Sequence, residues 1–191
     1  LRGTMDYDTT RTSELSNYGL NLPKVRRTRL GVAPQLAFRP NERDAWLLNA
    51  SVMDSSYDQR AYTDYHVYAA SPAYEHKFNA YNKGTLSLNA QRYETQSGVA
   101  LTSDSVGPSL GWTSQLTEQF TVRLAAGLER TLKRGDAIHG EETDWDYVYS
   151  GGFSYKGNRD TLETTATRAQ EPFGNGTETL LTTFAINERH A

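Results

Sequence analysis

The sequence predicts an all-β fold: a transmembrane up-and-down antiparallel β-barrel with about ten strands in this segment, the alternative being that these strands belong to a larger barrel. Three observations predict it. Apolar and polar residues alternate along nearly all of the 191-residue chain, with almost no helical periodicity. Short and long polar connections take strict turns between the alternating segments. Most of those segments run about 9–15 residues, longer than the soluble mean of about 5–6 and matched to the about 9–11 that a tilted membrane strand needs.

Each strand follows from its own alternation. Leu1, Gly3, Met5 and Tyr7 alternate with Arg2, Thr4, Asp6 and Asp8 over 1–9. Val32, Pro34, Leu36 and Phe38 do so over 25–39, and Trp46, Leu48, Ala50 and Val52 over 44–54; Pro40-Asn41-Glu42-Arg43 turns between them. Strands at 63–77 and 83–95 come next, the latter carrying Leu86, Leu88 and Ala90. Val106, Pro108, Leu110 and Trp112 mark 103–116, and Phe120, Val122, Leu124, Ala126 and Leu128 mark 119–132. Trp145, Tyr147, Tyr149, Gly151, Phe153 and Tyr155 mark 144–156. Strands at 160–170 and 178–188 close the series, the last on Leu180, Thr182, Phe184 and Ile186. The short connections fall near 40–43, 79–83, 117–119 and 157–159, and the long ones at 10–24, 54–62, 96–103, 133–143 and 171–177.

A period of 38 residues runs through the pattern. It separates Arg92, Arg130 and Arg168, Pro34 and Pro72, and Arg39, Lys77 and Gln115. Pro108 follows Pro72 after 36. A fixed period means a repeated unit, here one hairpin with its long loop. Because proline cannot donate to a ladder, each of the three is expected at a bulge or near an interface.

Lipid is a better neighbour for the apolar parity than a protein core. Phe38, Trp46, Phe78, Tyr81, Phe120, Phe153 and Tyr155 cluster near the short turns, and Tyr57, Tyr62, Tyr65, Tyr93, Trp145 and Tyr147 near the long loops. Two such belts match two membrane interfaces. The other parity is rich in Ser, Thr, Asn, Gly and charge, as a polar lumen is. The alternative is a soluble all-β binding domain with one parity in its core.

Composition narrows the classes. Net charge of −3 gives no electrostatic case for nucleic acid. Absence of cysteine excludes disulfides and thiolate metal sites. No apolar run reaches the length of a membrane helix. A mean hydropathy of −0.69 is compatible with a barrel, whose apolar residues are diluted by alternation. Leu1 opens directly in a strand pattern, so any signal peptide is expected to have been removed or to lie outside this segment.

The segment Ser154-Tyr155-Lys156, then Pro172-Phe173-Gly174-Asn175-Gly176, then Glu188-Arg189, resembles Gram-negative outer-membrane β-barrel proteins encoded with exopolysaccharide and exosortase systems. Val106-Gly107-Pro108-Ser109-Leu110 and Gln115-Leu116-Thr117-Glu118 are similar to the same proteins. The resemblance implies a bacterial outer-membrane location and a non-enzymatic pore or scaffold linked to exopolysaccharide export. Its implied partners are lipid, lipopolysaccharide and exopolysaccharide-export proteins. Members of that group carry more than ten strands, and outer-membrane barrels usually end on an aromatic residue in the last strand, whereas this chain stops at Arg189-His190-Ala191, so further strands are expected. Ten strands with both ends on the short-turn side are also a permissible barrel.

Several side chains are candidates for function. Arg92, Arg130 and Arg168 share the apolar parity at the long-loop end and suit lipopolysaccharide phosphates, with simple snorkelling as the alternative. Arg39, Lys77 and Lys156 lie on the polar parity just before short turns. They form either a basic ring that steers anions, or ordinary pairs with Glu42, Glu75 and Glu118. Arg29, Arg123, Glu129 and Glu163 are expected to line the lumen. No cofactor or metal is expected. A plugged barrel whose loops bind surface partners is the second functional reading. A barrel hydrolase using His139 with Asp136 or Asp144 is the third. Calcium binding by Asp136, Glu141, Glu142 and Asp144 lacks the spacing of a calcium loop.

Overall fold

A computed structural model describes residues 2–9, 26–59, 62–96, 101–135, 140–157, 159–172 and 178–190. The strands are β1 (Arg2–Thr9), β2 (Arg26–Ala33), β3 (Gln35–Phe38), β4 (Asp44–Tyr57), β5 (Tyr65–Lys77) and β6 (Asn82–Thr95). They continue as β7 (Thr102–Gln115), β8 (Phe120–Arg134), β9 (Glu141–Lys156), β10 (Asp160–Pro172) and β11 (Glu178–His190). Neighbouring strands pair antiparallel in one up-and-down sheet, with β2 and β3 both pairing with β4. No helix among the described residues is long and apolar enough to cross a membrane. β1 and β11 are the two edges of the sheet, and no pairing joins them among the described residues. The strands match those read from alternation, except that several run two or three residues further into the long connections.

β2 and β3 form one ribbon. Both pair with β4 in the same register, and between them the Pro34 carbonyl accepts the Ala50 N–H at 3.1 Å. Pro34 therefore removes one ladder donor without shifting the strand. Pro72 pairs with Leu48, and Pro108 with Leu88. On the other side of each, the ladder is interrupted for two residues and resumes in the same register. No residue is inserted, so the expected bulges are absent. The prolines also sit in mid-strand rather than at an interface. A missing donor opens the ladder locally, and the cross-strand pairs on either side hold register across the gap. At the β7–β8 gap the backbones crowd: a Cβ on Gly107 would lie 1.9 Å from the Leu128 carbonyl oxygen.

The short turns carry a repeated device. Asn41 Oδ1 accepts the backbone N–H groups of Arg43 and Asp44, both at 2.8 Å. Asn79 Oδ1 accepts those of Tyr81 and Asn82 at 2.8 and 2.9 Å. Thr117 Oγ1 accepts those of Gln119 and Phe120 at 3.2 and 3.1 Å. These three residues stand 38 apart, so the sequence period is also a period of turn chemistry.

Successive turns are staggered. The register line Phe38, Trp46, Tyr74, Leu86, Leu110 lies three residues from Asn41, five from Asn79 and seven from Thr117. Each hairpin is thus displaced by two residues, the slope that curls a sheet toward a barrel.

The faces divide as alternation predicts. Leu36, Leu88 and Leu124 are 68%, 46% and 56% exposed, and the other large apolar residues of their parity form a continuous outer surface with them. The buried residues Ser55, Ser103, Ser105 and Thr131 stand on the opposite parity. Near the short turns the outer face carries an aromatic band. Trp46 packs on Tyr74 at 4.9 Å, and Phe78 stacks on Trp112 at 5.2 Å. The Phe78 ring reaches Trp112 by lying over Gly84, where any Cβ would be 2.9 Å from it.

Candidate functional site

The polar face encloses the candidate site. A cavity of about 350 Å³ is lined by Gln35, Asn49, Ser51, Ser71, Asn89, Gln91, Ser105, Glu129 and Gln170, among others. Its walls come from strands at both ends of the sheet, β3 and β10, so the polar side is the concave one. Two further facts agree. Arg29 on β2 interacts electrostatically with Glu171 on β10. Pairing between β9 and β10 ends at Tyr149–Arg168, and beyond it the Gln170 amide turns inward. Gln170 Nε2 donates to Thr131 Oγ1 at 2.7 Å, and Ser105 donates to Gln170 Oε1 at 3.1 Å.

Three layers follow one another along the lumen. In the middle, Ser71 donates to Asn89 Oδ1 at 2.8 Å, Asn89 Nδ2 donates to Ser109 at 3.2 Å, and Ser109 bonds Ser87 at 2.6 Å. Cross-strand chains of this kind satisfy polar groups in a low-dielectric interior. At the long-loop end the layer is apolar. Tyr65 and Tyr93 are 1% and 0% exposed and pack with Val67, Met53, Tyr57 and Leu101. Their rings are 5.2 Å apart, and Tyr62 stacks on Tyr57 at the same distance. This corrects the upper aromatic belt: Tyr57, Tyr65 and Tyr93 belong to the lumen, while Trp145 and Tyr147 are exposed on the outer face. At the short-turn end the layer is charged and open.

Of the expected lumen charges, Glu129 lines the central cavity. Arg29 Nε is buried with no hydrogen-bond partner in the described structure. Arg123, Glu163, Arg39, Lys77 and Lys156 are exposed toward the short-turn end. Glu75 pairs with Lys83 at 2.6 Å and not with Lys77. On the outer face Arg92 grips Asp104 with two bonds of 2.6 and 3.1 Å. Arg134 joins the same carboxylate at 2.8 Å. Arg130 is exposed, between Val106 and Trp145 in register. Arg168 parts from the other two: it borders an inner cavity with Asn89, Ser109 and Glu129, and its Nε is buried without a partner.

Asp136 and His139 lie outside the described residues. Asp144 is held by Lys133 at 2.8 Å, and Glu141 by Arg134 at 3.1 Å. No group of three or more metal-ligating side chains occurs among the described residues. Sequence reading missed Gln170, Lys83 and the Asn41–Asn79–Thr117 device. The last was open to the same 38-residue count that linked Arg39 with Lys77.

No family model and no curated protein matches the chain. Among solved structures it is similar to the toluene transporter TodX of Pseudomonas putida, with a TM-score of 0.52 and 10% identity. That alignment covers 88% of this chain and 61% of TodX, so the chain spans less than two thirds of that protein's length. The translocator domain of the autotransporter NalP from Neisseria meningitidis matches with a TM-score of 0.49 and 14% identity, over 86% of this chain and 68% of that one. The ferric yersiniabactin uptake receptor FyuA from Yersinia pestis matches with a TM-score of 0.39 and 11% identity, over 88% and 34%. At these identities the likeness to TodX is one of fold. The class it defines, together with the division of faces, is the up-and-down transmembrane β-barrel.

Proposed function

We propose that the protein resides in a bacterial outer membrane and acts as a non-enzymatic pore or scaffold. The observation that carries this reading is the division of faces: an apolar outside with an aromatic band, around a concave side built from amides, hydroxyls and charge. Water on the outer face would leave an apolar surface far larger than monomeric soluble proteins expose. A transport role is supported by the described lumen and by the TodX-like fold. Exopolysaccharide export is the finer reading. It rests on the resemblance of the 154–189 segment and on the neutral polar lining around Asn49, Ser71 and Asn89, which suits a hydroxyl-rich cargo.

The second reading, a plugged barrel with binding loops, is favoured by the Tyr57–Tyr65–Tyr93 cluster at the long-loop end. Conductance in planar bilayers tests the choice. Stable open levels support the pore, and insertion without them supports the plugged barrel. Failure to require detergent, with identical gel mobility of heated and unheated samples, would overturn the membrane reading altogether.

A further inference from the structure

We propose that the short-turn mouth of the lumen is a binding collar for a multivalent oxyanion, a phosphate- or carboxylate-bearing molecule entering from that side. The proposal rests on the barrel reading only in taking the polar parity as the lumen face. Arg39, Lys77, Lys83 and Lys156 all stand on that parity: Arg39 directly follows β3, Lys77 and Lys156 end β5 and β9, Lys83 is second in β6, and Arg123 lies one layer deeper. The turn stagger keeps them at a common distance from the mouth although they belong to β4-flanking, β5, β6 and β9 segments.

Several of the acids nearby are turned away or already engaged. Asp44, on the outer parity, accepts the Tyr74 hydroxyl at 2.5 Å, the Asn41 amide at 2.7 Å and lies 2.7 Å from His76 Nδ1. Asp160, also on the outer parity, is held by His190 at 2.5 Å. Glu42 and Glu118 sit exposed in the turns themselves, outside the strands. Among the described inner-parity residues near the mouth, Glu75 and Glu163 are the acids that oppose the five cations, and Glu75 is taken by Lys83. Among the described residues Arg39, Lys77, Arg123 and Lys156 form no ion pair. Unpaired cations around a low-dielectric mouth focus a positive potential and raise the local concentration of anions. Several of them together favour a multivalent anion, because each added charge pairs with a different side chain.

The test uses the whole chain in nanodiscs of phosphatidylcholine. Tripolyphosphate, citrate and neutral maltose are titrated by calorimetry at two salt concentrations. The expected result is binding of one or both anions but not maltose, weakened by salt. The Arg39→Gln/Lys77→Gln/Lys156→Gln variant should bind at least about tenfold more weakly, and an Arg26→Gln/Arg130→Gln control within about twofold of the parent. Tripolyphosphate preferred over citrate assigns phosphate, and the reverse assigns carboxylate. Heat-dependent gel mobility checks that each variant is folded. Should the triple variant fail that check, Lys77→Gln and Lys156→Gln are read singly. Equal binding of maltose, or equal losses in mouth and control variants, overturns the collar. Absence of conductance in bilayers would instead count against the pore and leave the binding result standing.

Discussion

The two ends of the lumen are built on opposite principles. At the long-loop end tyrosine rings pack against one another, and Tyr65 and Tyr93 are sealed from solvent. At the short-turn end long cationic side chains stand apart in solvent, with few partners. The same alternating strands supply both. The difference teaches that parity decides which face a residue occupies, while depth along the strand decides whether that residue stabilises or attracts. Stability should therefore be concentrated at one end of the lumen and electrostatic selectivity at the other.

The sharpest way to break this comparison is Tyr93→Ala. It empties a fully buried site, and about 3 kcal/mol of stability should be lost. Urea denaturation followed by tryptophan fluorescence reads it, and an unchanged midpoint would remove the apolar end from the account. Leu88→Arg tests the outer face at mid-strand, where an arginine against lipid costs about 2–4 kcal/mol. Refolding yield into vesicles should fall accordingly, whereas in a soluble protein an exposed leucine would tolerate the change. Gln170→Ala removes bonds to Ser105 and Thr131, with an expected loss of about 1 kcal/mol. Arg92→Ala breaks an exposed ion pair and should move the denaturation midpoint only slightly, less than Gln170→Ala does. Smallest of all, Lys77→Gln should leave the denaturation midpoint within error while shifting the reversal potential of any conductance toward cations. A large stability loss there would erase the contrast between the ends.

Much of this architecture was legible. Alternation located the strands, and the alternation of loop lengths gave the up-and-down order, because both are set by backbone geometry that each residue reports locally. The site was legible only by parity. Tyr65 and Tyr93 occupy the polar parity, so counting alone assigns them to the lumen; their closeness to the long loops suggested an interface belt instead. The pairing of Glu75 with Lys83 rather than Lys77 depends on a diagonal across two strands, which needs register as well as periodicity. The inward turn of Gln170 has no local signal, since it begins where β10 loses its ladder to β9. The prolines misled for a related reason: a missing donor shows in the sequence, but whether the ladder answers by inserting a residue or by opening does not.

The two-residue displacement of successive hairpins has a consequence for how the molecule stands in a bilayer. A displacement of about one residue per strand corresponds to an inclination near 36° in closed barrels of equal strand number and shear. A ribbon as long as β6, 14 residues, then climbs roughly 38 Å along the bilayer normal. The apolar band of such proteins is only about 25 Å tall. The wall must therefore project beyond the hydrocarbon as a rigid rim, with ladder bonds continuing in water. Arg92, Asp104, Lys133 and Arg134 lie on that rim, which explains how charged pairs come to sit inside strands.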